Sequence, residues 1–567
     1  MLLLLLACSG APAPAPAPEA PAPAPQLRFE AAPTQAGPDG AVMARARLGD
    51  QQIPLTWTPL LRQGEAVGDA PPFGDVLDDA GHPLQVSRAG SCASPDYNGL
   101  FSAFGHTWLF THLECTPAAL VLTQLERVPE GSFKVISSAP TTGLPSAGVN
   151  QLCSGDMTPW GTLLSGEEYE TNVALLVDGE VPSLVPGKSD GKEYNDWGRY
   201  PIARRYVSSG PAPSPYAYGW MVETRLLNAT GETSTVKRLA MGRFSHELGA
   251  VMPDGRTVYM TDDHTHAILG LFVADREGDL SAGTLYASRW TATAAGHQVG
   301  WVSLGHASDA EISEAVEKSL PFDAMFDRTV PEGGACPEGL SPHRNPQSVD
   351  ECIAVKPGMD VLASRLETRR FAGLRGATTE LTKEEGVTAD TANKRLYVGV
   401  TRIVSSMLPN DPPWPGRDHL ALQENPCGAI FELPMSGGQQ DTDGAPIDSA
   451  WVATSARVAV AGVPEGEGCG EASFSEPDNL AFIDAQGVLL IAEDTDRLPN
   501  RLWAWADGAL TPIFAAPTQG EHGAEVSGLS WVGDVDGAGW ITISLQHPPG
   551  QPAVSGVLGP FPSAARP

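Results

Sequence analysis

Six segments of this chain begin and end on a polar side chain with a turn between them. Asn98 leads through Gly105-His106 to Glu114, and Cys153 leads through Thr158-Pro159-Trp160-Gly161 to Glu168. Glu247 leads through Pro253-Asp254-Gly255 to Asp262, and Glu385 leads through Asp390 and Asn393 to Thr401. Asp478 leads through Asp484-Ala485-Gln486-Gly487 to Asp494, and Glu525 leads through Asp536-Gly537 to Gln546. Five of the six intervals are 15 or 16 residues, and the last is 21. A strand of about six residues, a turn and a return strand bring the chain back to its starting end. Six such hairpins set radially would point all their ends at one opening. The expected fold is therefore all-β, a six-bladed β-propeller spanning about residues 27–560.

Other signals agree with an all-β chain. Strand-like runs recur at HTWLFTHLE, TVYMTDD, LYVGVT, VLLIAED and WITISLQ. The best helical candidate is short, Asp309 to Lys318. Long insertions near 180–216 and 302–359 are expected as loops over one face. The net charge of −32 argues against a nucleic-acid partner, which requires a basic face. Apolar content of 42% is enough for a large core, and no apolar run reaches the ~18 residues of a membrane span.

The N-terminus carries a separate signal. Leu5-Leu6-Ala7-Cys8 resembles a bacterial lipobox, in which the cysteine becomes the lipid-modified first residue. The apolar run has no basic residues ahead of it, which points to a start codon further upstream. An Ala/Pro-rich tether follows, within residues 9–26, as expected for a lipoprotein held off a membrane. The expected location is the bacterial cell envelope, periplasm or outer surface, with the lipid anchor as the only membrane contact.

Seven cysteines remain after Cys8. Sequence proximity suggests Cys92–Cys115, Cys336–Cys352 and Cys427–Cys469, one of 15 possible arrangements, with Cys153 left over. Cys153 is also the one thiol among the hairpin ends, where the other donors are mostly carboxylates. Carboxylates crowded at one opening repel one another and must be protonated or offset by cations. Calcium suits many oxygen ligands, and a thiolate among them suits a borderline metal such as iron. Clustered cations can bind a phosphate, activate a water and stabilise a leaving oxygen. His246, beside Glu247, reads as a ligand, a group behind the ligands or a core histidine, the second being favoured. Asp263, Asn479 and Asp494 are expected in the same supporting layer. No P-loop, GxSxG or HExxH is present.

These residues carry a resemblance to the PhoX-type alkaline phosphatases. Cys153-Ser154-Gly155-Asp156-Met157-Thr158-Pro159-Trp160-Gly161-Thr162, ending at Glu167-Glu168, is similar to that family's cysteine-to-carboxylate stretch. Gly242-Arg243-Phe244-Ser245-His246-Glu247 followed by Asp262-Asp263 resembles a second signature. Pro477-Asp478-Asn479-Leu480-Ala481-Phe482 resembles a third. Gly523-Ala524-Glu525-Val526-Ser527-Gly528 with Gln546-His547-Pro548 resembles the last blade, and Thr111-His112-Leu113-Glu114 is a looser match. The resemblance implies an exported enzyme that hydrolyses phosphate monoesters at an iron and calcium cluster. It implies Cys153 and Glu247 as iron ligands, and Glu114, Glu168, Asp262, Asp478 and Glu525 as iron or calcium ligands. Small phosphorylated molecules are the implied substrates, and a monomer is expected.

One stretch departs from the family. Where the family has Arg-Pro-Glu at the fourth hairpin, with the arginine on phosphate, this chain reads Lys383-Glu384-Glu385. Lys383 and Glu385 are the implied catalytic pair, but lysine is a point charge without the guanidinium fork. Two other readings fit parts of the pattern. Pro477-Asp478-Asn479 also suits a calcium-dependent lactonase or esterase propeller, and a surface propeller with purely structural metals is the non-enzyme alternative.

Overall fold

The computed structural model describes residues 26–562, apart from 88–89, 130, 177–202, 346–347, 410–418, 496–497 and 521. Cys8, most of the Ala/Pro-rich segment and the first part of the 180–216 insertion lie outside the described residues.

Each of the six hairpins forms the inner half of a four-stranded antiparallel sheet. Blade one comprises Pro95–Ala103, His106–Leu113, Ala119–Arg127 and Phe133–Pro140, and blade two comprises Leu152–Met157, Leu163–Glu167, Met221–Leu226 and Thr233–Lys237. Blade three starts at His246–Val251, blade four at Gly386–Asp390, blade five at Pro477–Ile483 and blade six at Glu525–Val535. Each of these inner strands packs on the next, and that of blade six packs on that of blade one, so the ring is closed. The fold is a six-bladed β-propeller.

The closure joins distant parts of the chain. The outer strand of blade six is Thr56–Arg62, paired with Val554–Pro562. Gly40–Leu48 and Leu27–Gly37 extend blade five beyond its own last strand, Ala509–Ala515. Blades three and four are further joined where His297 and Gln298 pair with Ala456 and Ser455.

The core divides as a radial fold requires. Each sheet is apolar on both faces and buries them against its two neighbours. One apolar cluster lies at each of the six blade interfaces. Trp108 fills the interface of blades one and two, Trp290 and Trp301 that of three and four, and Trp503 that of four and five.

The expected insertion near 302–359 is not a bare loop. Gly296–Ser308 is a fifth strand on blade three, and helices Asp309–Glu317, Asp360–Leu366 and Thr368–Leu374 follow with a small sheet between them. The first helix starts at Ser308, which forms a capping box with Glu311. Its buried Ile312 and Ala315 join the cluster between blades two and three, which is why the insertion is ordered.

Close approach of the inner strands depends on missing side chains. A Cβ on Gly386 would lie 2.5 Å from the carbonyl oxygen of Asp478 and 2.7 Å from Leu480 Cγ. Gly386→Ala is therefore expected to overpack the interface of blades four and five, at a cost of about 1–3 kcal/mol. A lower thermal midpoint would show this, and an unchanged one would mean that the blades part easily there.

Candidate metal centre

Four inner strands share one irregularity at their first pair, and that of blade six has it one turn of the pleat later, between Ser527 and Ser530. Pro95 pairs with Leu113 and Asn98 with Thr111, so three steps on one strand face two on the other. The same offset occurs between Leu152 and Gly155, His246 and Gly249, and Pro477 and Leu480. The extra residue falls at Asp96-Tyr97, Cys153-Ser154, Glu247-Leu248 and Asp478-Asn479. A bulge of this kind re-aims a side chain away from the strand's alternation. Here it turns Asp96, Cys153, Glu247 and Asp478 toward the axis. Glu385 directly precedes its strand and Glu525 begins its own, so each blade supplies one acidic or thiol group.

These groups meet. Cys153 Sγ lies 3.3 Å from Glu247 Oε1 and 3.7 Å from Asp96 Oδ2. Asp96, Glu114 and Cys153 can offer one donor each within 4.8 Å of one another, and so can Cys153, Glu168 and Glu247. Cys153 belongs to both trios. The structure forms the disulfides Cys92–Cys115, Cys336–Cys352 and Cys427–Cys469 and leaves Cys153 a buried thiol.

Neighbouring side chains hold the donors in place. Asn479 Nδ2 donates to Asp478 at 2.7 Å and to Glu247 at 3.4 Å. Gln546 Nε2 donates to Asp96 at 2.7 Å and to Glu525 at 3.1 Å, linking blades six and one. His112 Nδ1 lies 2.6 Å from the Cys153 carbonyl, which can only accept, so Nδ1 carries the proton. Nε2 then accepts from the Ser165 hydroxyl at 2.8 Å. Burial lowers the His112 pKa to about 4, so the ring is neutral.

The structure places four of the expected residues differently. Asp262 is not among the converging donors. It accepts from Arg369 at 2.9 Å and from the Ile268 amide at 3.1 Å, and the adjacent Asp263 takes its place. Asp263 accepts from the Tyr169 hydroxyl at 2.9 Å and lies 2.9 Å from Lys383 Nζ. Asn98 is not an end of blade one. It bonds Thr111 within its own sheet and Ser544 on blade six, and Asp96 is the group at the mouth. His246 bonds the Gly242 carbonyl through Nε2 and stacks on Phe244 at 3.7 Å between ring centroids, as a core histidine does. Asp494, expected behind the donors, lines the open cleft beside Glu525.

Electrostatics decides what such a site requires. Two like charges ~4 Å apart repel by about 4 kcal/mol at an effective dielectric of 20. Burial and mutual repulsion push Asp96, Glu168, Glu247, Asp478 and Glu525 well above the usual carboxylate range. Burial and the surrounding carboxylates raise the Cys153 thiol as well. Burial brings Glu385 to about 8 even though Lys383 pulls it down. Asp263 goes the other way: burial raises it, but the charge of Lys383 and hydrogen bonds with Glu168, Lys383 and Tyr169 together lower it by more. Among the described residues, Lys383 is the cationic side chain paired to this set, bridging Asp263 and Glu385. One lysine cannot offset so many carboxylates, so the donor set fits bound cations.

A family model described as alkaline phosphatase PhoX matches residues 124–548. The chain belongs to the PhoX alkaline phosphatase family. Among solved structures, PhoX from Pseudomonas fluorescens in complex with vanadate, a transition state analogue, aligns with a TM-score of 0.61. It shares 17% identity and covers 95% of this chain and 98% of its own. A putative 6-phosphogluconolactonase from Bacteroides uniformis aligns with a TM-score of 0.27 and 12% identity, covering 76% of this chain and 86% of its own. No curated relative matches. A PhoX phosphatase is metal-dependent, in keeping with the donor set at the mouth.

Asp96 has no counterpart in the hairpin pattern as read from Asn98. Its signal is the Pro95-Asp96 pair, which repeats as Pro477-Asp478 at the same bulge position.

A pH test follows from the shifts. A carboxyl with a raised folded pKa gives stability that is present below its unfolded value and lost as pH rises through the folded value. Metal-free protein is therefore expected to lose thermal stability between roughly pH 4.5, the unfolded glutamate value, and the value of about 8 for Glu385. Metal-loaded protein should not show this fall. Parallel pH profiles of the two forms would mean that cations do not bind these carboxylates.

Proposed function

We propose that this chain is an exported phosphatase that hydrolyses phosphate monoesters at an iron and calcium cluster in the propeller mouth. The observation that carries the reading is the convergence of one donor from each blade, five carboxylates and a single thiol, on one opening. Cys153 and Glu247 are the proposed iron ligands. Asp96, Glu114, Glu168, Asp263, Asp478 and Glu525 are the proposed iron or calcium ligands. When bound, the cations supply positive charge for phosphate oxygens, acidify a water and stabilise the leaving oxygen.

The chain's own residues prepare the site for that chemistry. Asn479 holds donors of blades five and three, and Gln546 holds donors of blades one and six, which fixes their spacing before substrate arrives. The Tyr169 hydroxyl and Lys383 hold Asp263 from opposite sides. Thr401 donates its hydroxyl to Glu385, so Glu385 is held by both Thr401 and Lys383. A cleft of about 550 Å³, walled by Asp494, Asn500, Glu525 and His547 among others, opens onto the site. Its size suits a small phosphorylated molecule rather than a macromolecule.

Metal analysis and activity on p-nitrophenyl phosphate test the reading together. Cys153→Ser is expected to remove most of the iron, keep calcium and lower activity at least about 100-fold, the scale of losing a principal electrostatic group. Retained iron and activity would remove iron from the proposal, and hydrolysis of lactones alone would replace the phosphatase reading.

The N-terminal lipobox and tether support export as a cell-envelope lipoprotein, with the protein a monomer on its anchor. Cys8→Ala is expected to shift the protein from the detergent to the aqueous phase in a phase-partition assay. An unmodified Cys8 in the native protein would exclude the anchor.

A further inference from the structure

Positive charge able to meet a phosphate is scarce at this mouth. Lys383 Nζ is 2.9 Å from Asp263 and is also paired with Glu385, so its charge is shared between two carboxylates. Arg402 is placed differently. It follows Thr401, whose hydroxyl donates to Glu385 and whose amide donates to the Lys383 carbonyl at 3.0 Å. The second strand of blade four thereby delivers Arg402 to the rim beside the lysine.

Arg402 is held along one edge only. Its Nε and Nη2 both pair with Oε1 of Glu476. Glu476 stands two residues before Asp478, and its carbonyl accepts from the Asp494 amide at 3.2 Å. The pair is thus tied to the donor set through the backbone. Nη1 has no partner among the described residues, and the side chain is 48% exposed against 9% for Glu476. Arg402 and Glu476 line the same cleft as Asp494, Glu525, His522 and His547. A guanidinium has two edges, each able to present a pair of parallel N–H donors. Glu476 occupies the edge containing Nε, which leaves the Nη1/Nη2 edge for two oxygens of a ligand.

We propose that Arg402 is a substrate-binding residue whose free guanidinium edge takes two oxygens of the phosphoryl group, with Glu476 fixing its orientation. Lys383 then remains with Asp263 and Glu385. This inference rests on the phosphatase reading of the mouth. A lysine at 402 would keep the charge and lose the fork.

The test uses metal-loaded wild type, Arg402→Ala and Arg402→Lys. The measurements are KM and kcat on p-nitrophenyl phosphate, inhibition by inorganic phosphate, and metal content. Both KM and the phosphate inhibition constant are expected to rise about tenfold or more in the alanine variant, as for the loss of a charged hydrogen-bonding partner. The lysine variant should recover only part of this, with metal content equal in all three proteins. Constants within twofold of wild type in the alanine variant would overturn the proposal. So would a lysine variant equal to wild type, or a loss of metal in both variants.

Failure of the underlying phosphatase reading is separable. If wild type hydrolyses no phosphate ester, calorimetry of inorganic phosphate binding to the metal-loaded proteins decides the role of Arg402. Binding by wild type that weakens about tenfold in Arg402→Ala supports it, and equal binding or none overturns it.

Discussion

Mutual repulsion among buried carboxylates is the constraint on which the rest of this structure depends. Each blade aims an acidic or thiol group at one axis, and the six interblade cores hold those groups together against their own field. Left to itself the cluster would favour protonation or opening of the ring. The apolar interfaces, Asn479, Gln546 and the Lys383 bridge restrain it, and bound cations would offset it. Stability and chemistry therefore share one origin. The field that makes the mouth costly to fold also makes it a strong cation trap, and the trapped cations give an anionic ester a reason to enter an acidic protein.

The architecture was largely legible in the sequence, because hairpin length is set by strand rise and turn geometry. Six returns of near-constant length leave few arrangements other than a radial one. The donor set was less legible, for a local reason. Strand side chains alternate with a period of two, so a shift of one residue changes the face a side chain occupies. The bulges insert one residue at the mouth, and no composition rule marks where the extra residue lies. That is why Asn98 stood in for Asp96, whereas Asp263 lies one residue past the end of the unbulged return strand Thr257–Asp262. Cys153 escaped the ambiguity because it was the cysteine left over once neighbours were paired.

The residues just behind the mouth show how the displaced side chains are used. Asp262 is bound by Arg369, which also pairs with Glu170, the second residue after Glu168. One guanidinium from the inserted helix Thr368–Leu374 thus clamps the strand ends that carry Asp263 and Glu168. The insertion packs on the core of blades two and three and braces the site from outside the ring. Its register could not be read from charge spacing, since Arg369 meets its partners across a long stretch of chain.

The pairing of Thr56–Arg62 with Val554–Pro562 has a consequence for biogenesis. The last blade is completed by one of the first strands made, so the ring stays open until nearly the whole polypeptide has been synthesised. Because every blade contributes to the donor set, a nascent or truncated chain presents only a fraction of the donors. The complete donor set therefore comes into being only with closure of the ring, so any cation that needs all six blades must be met in the compartment where the ring closes.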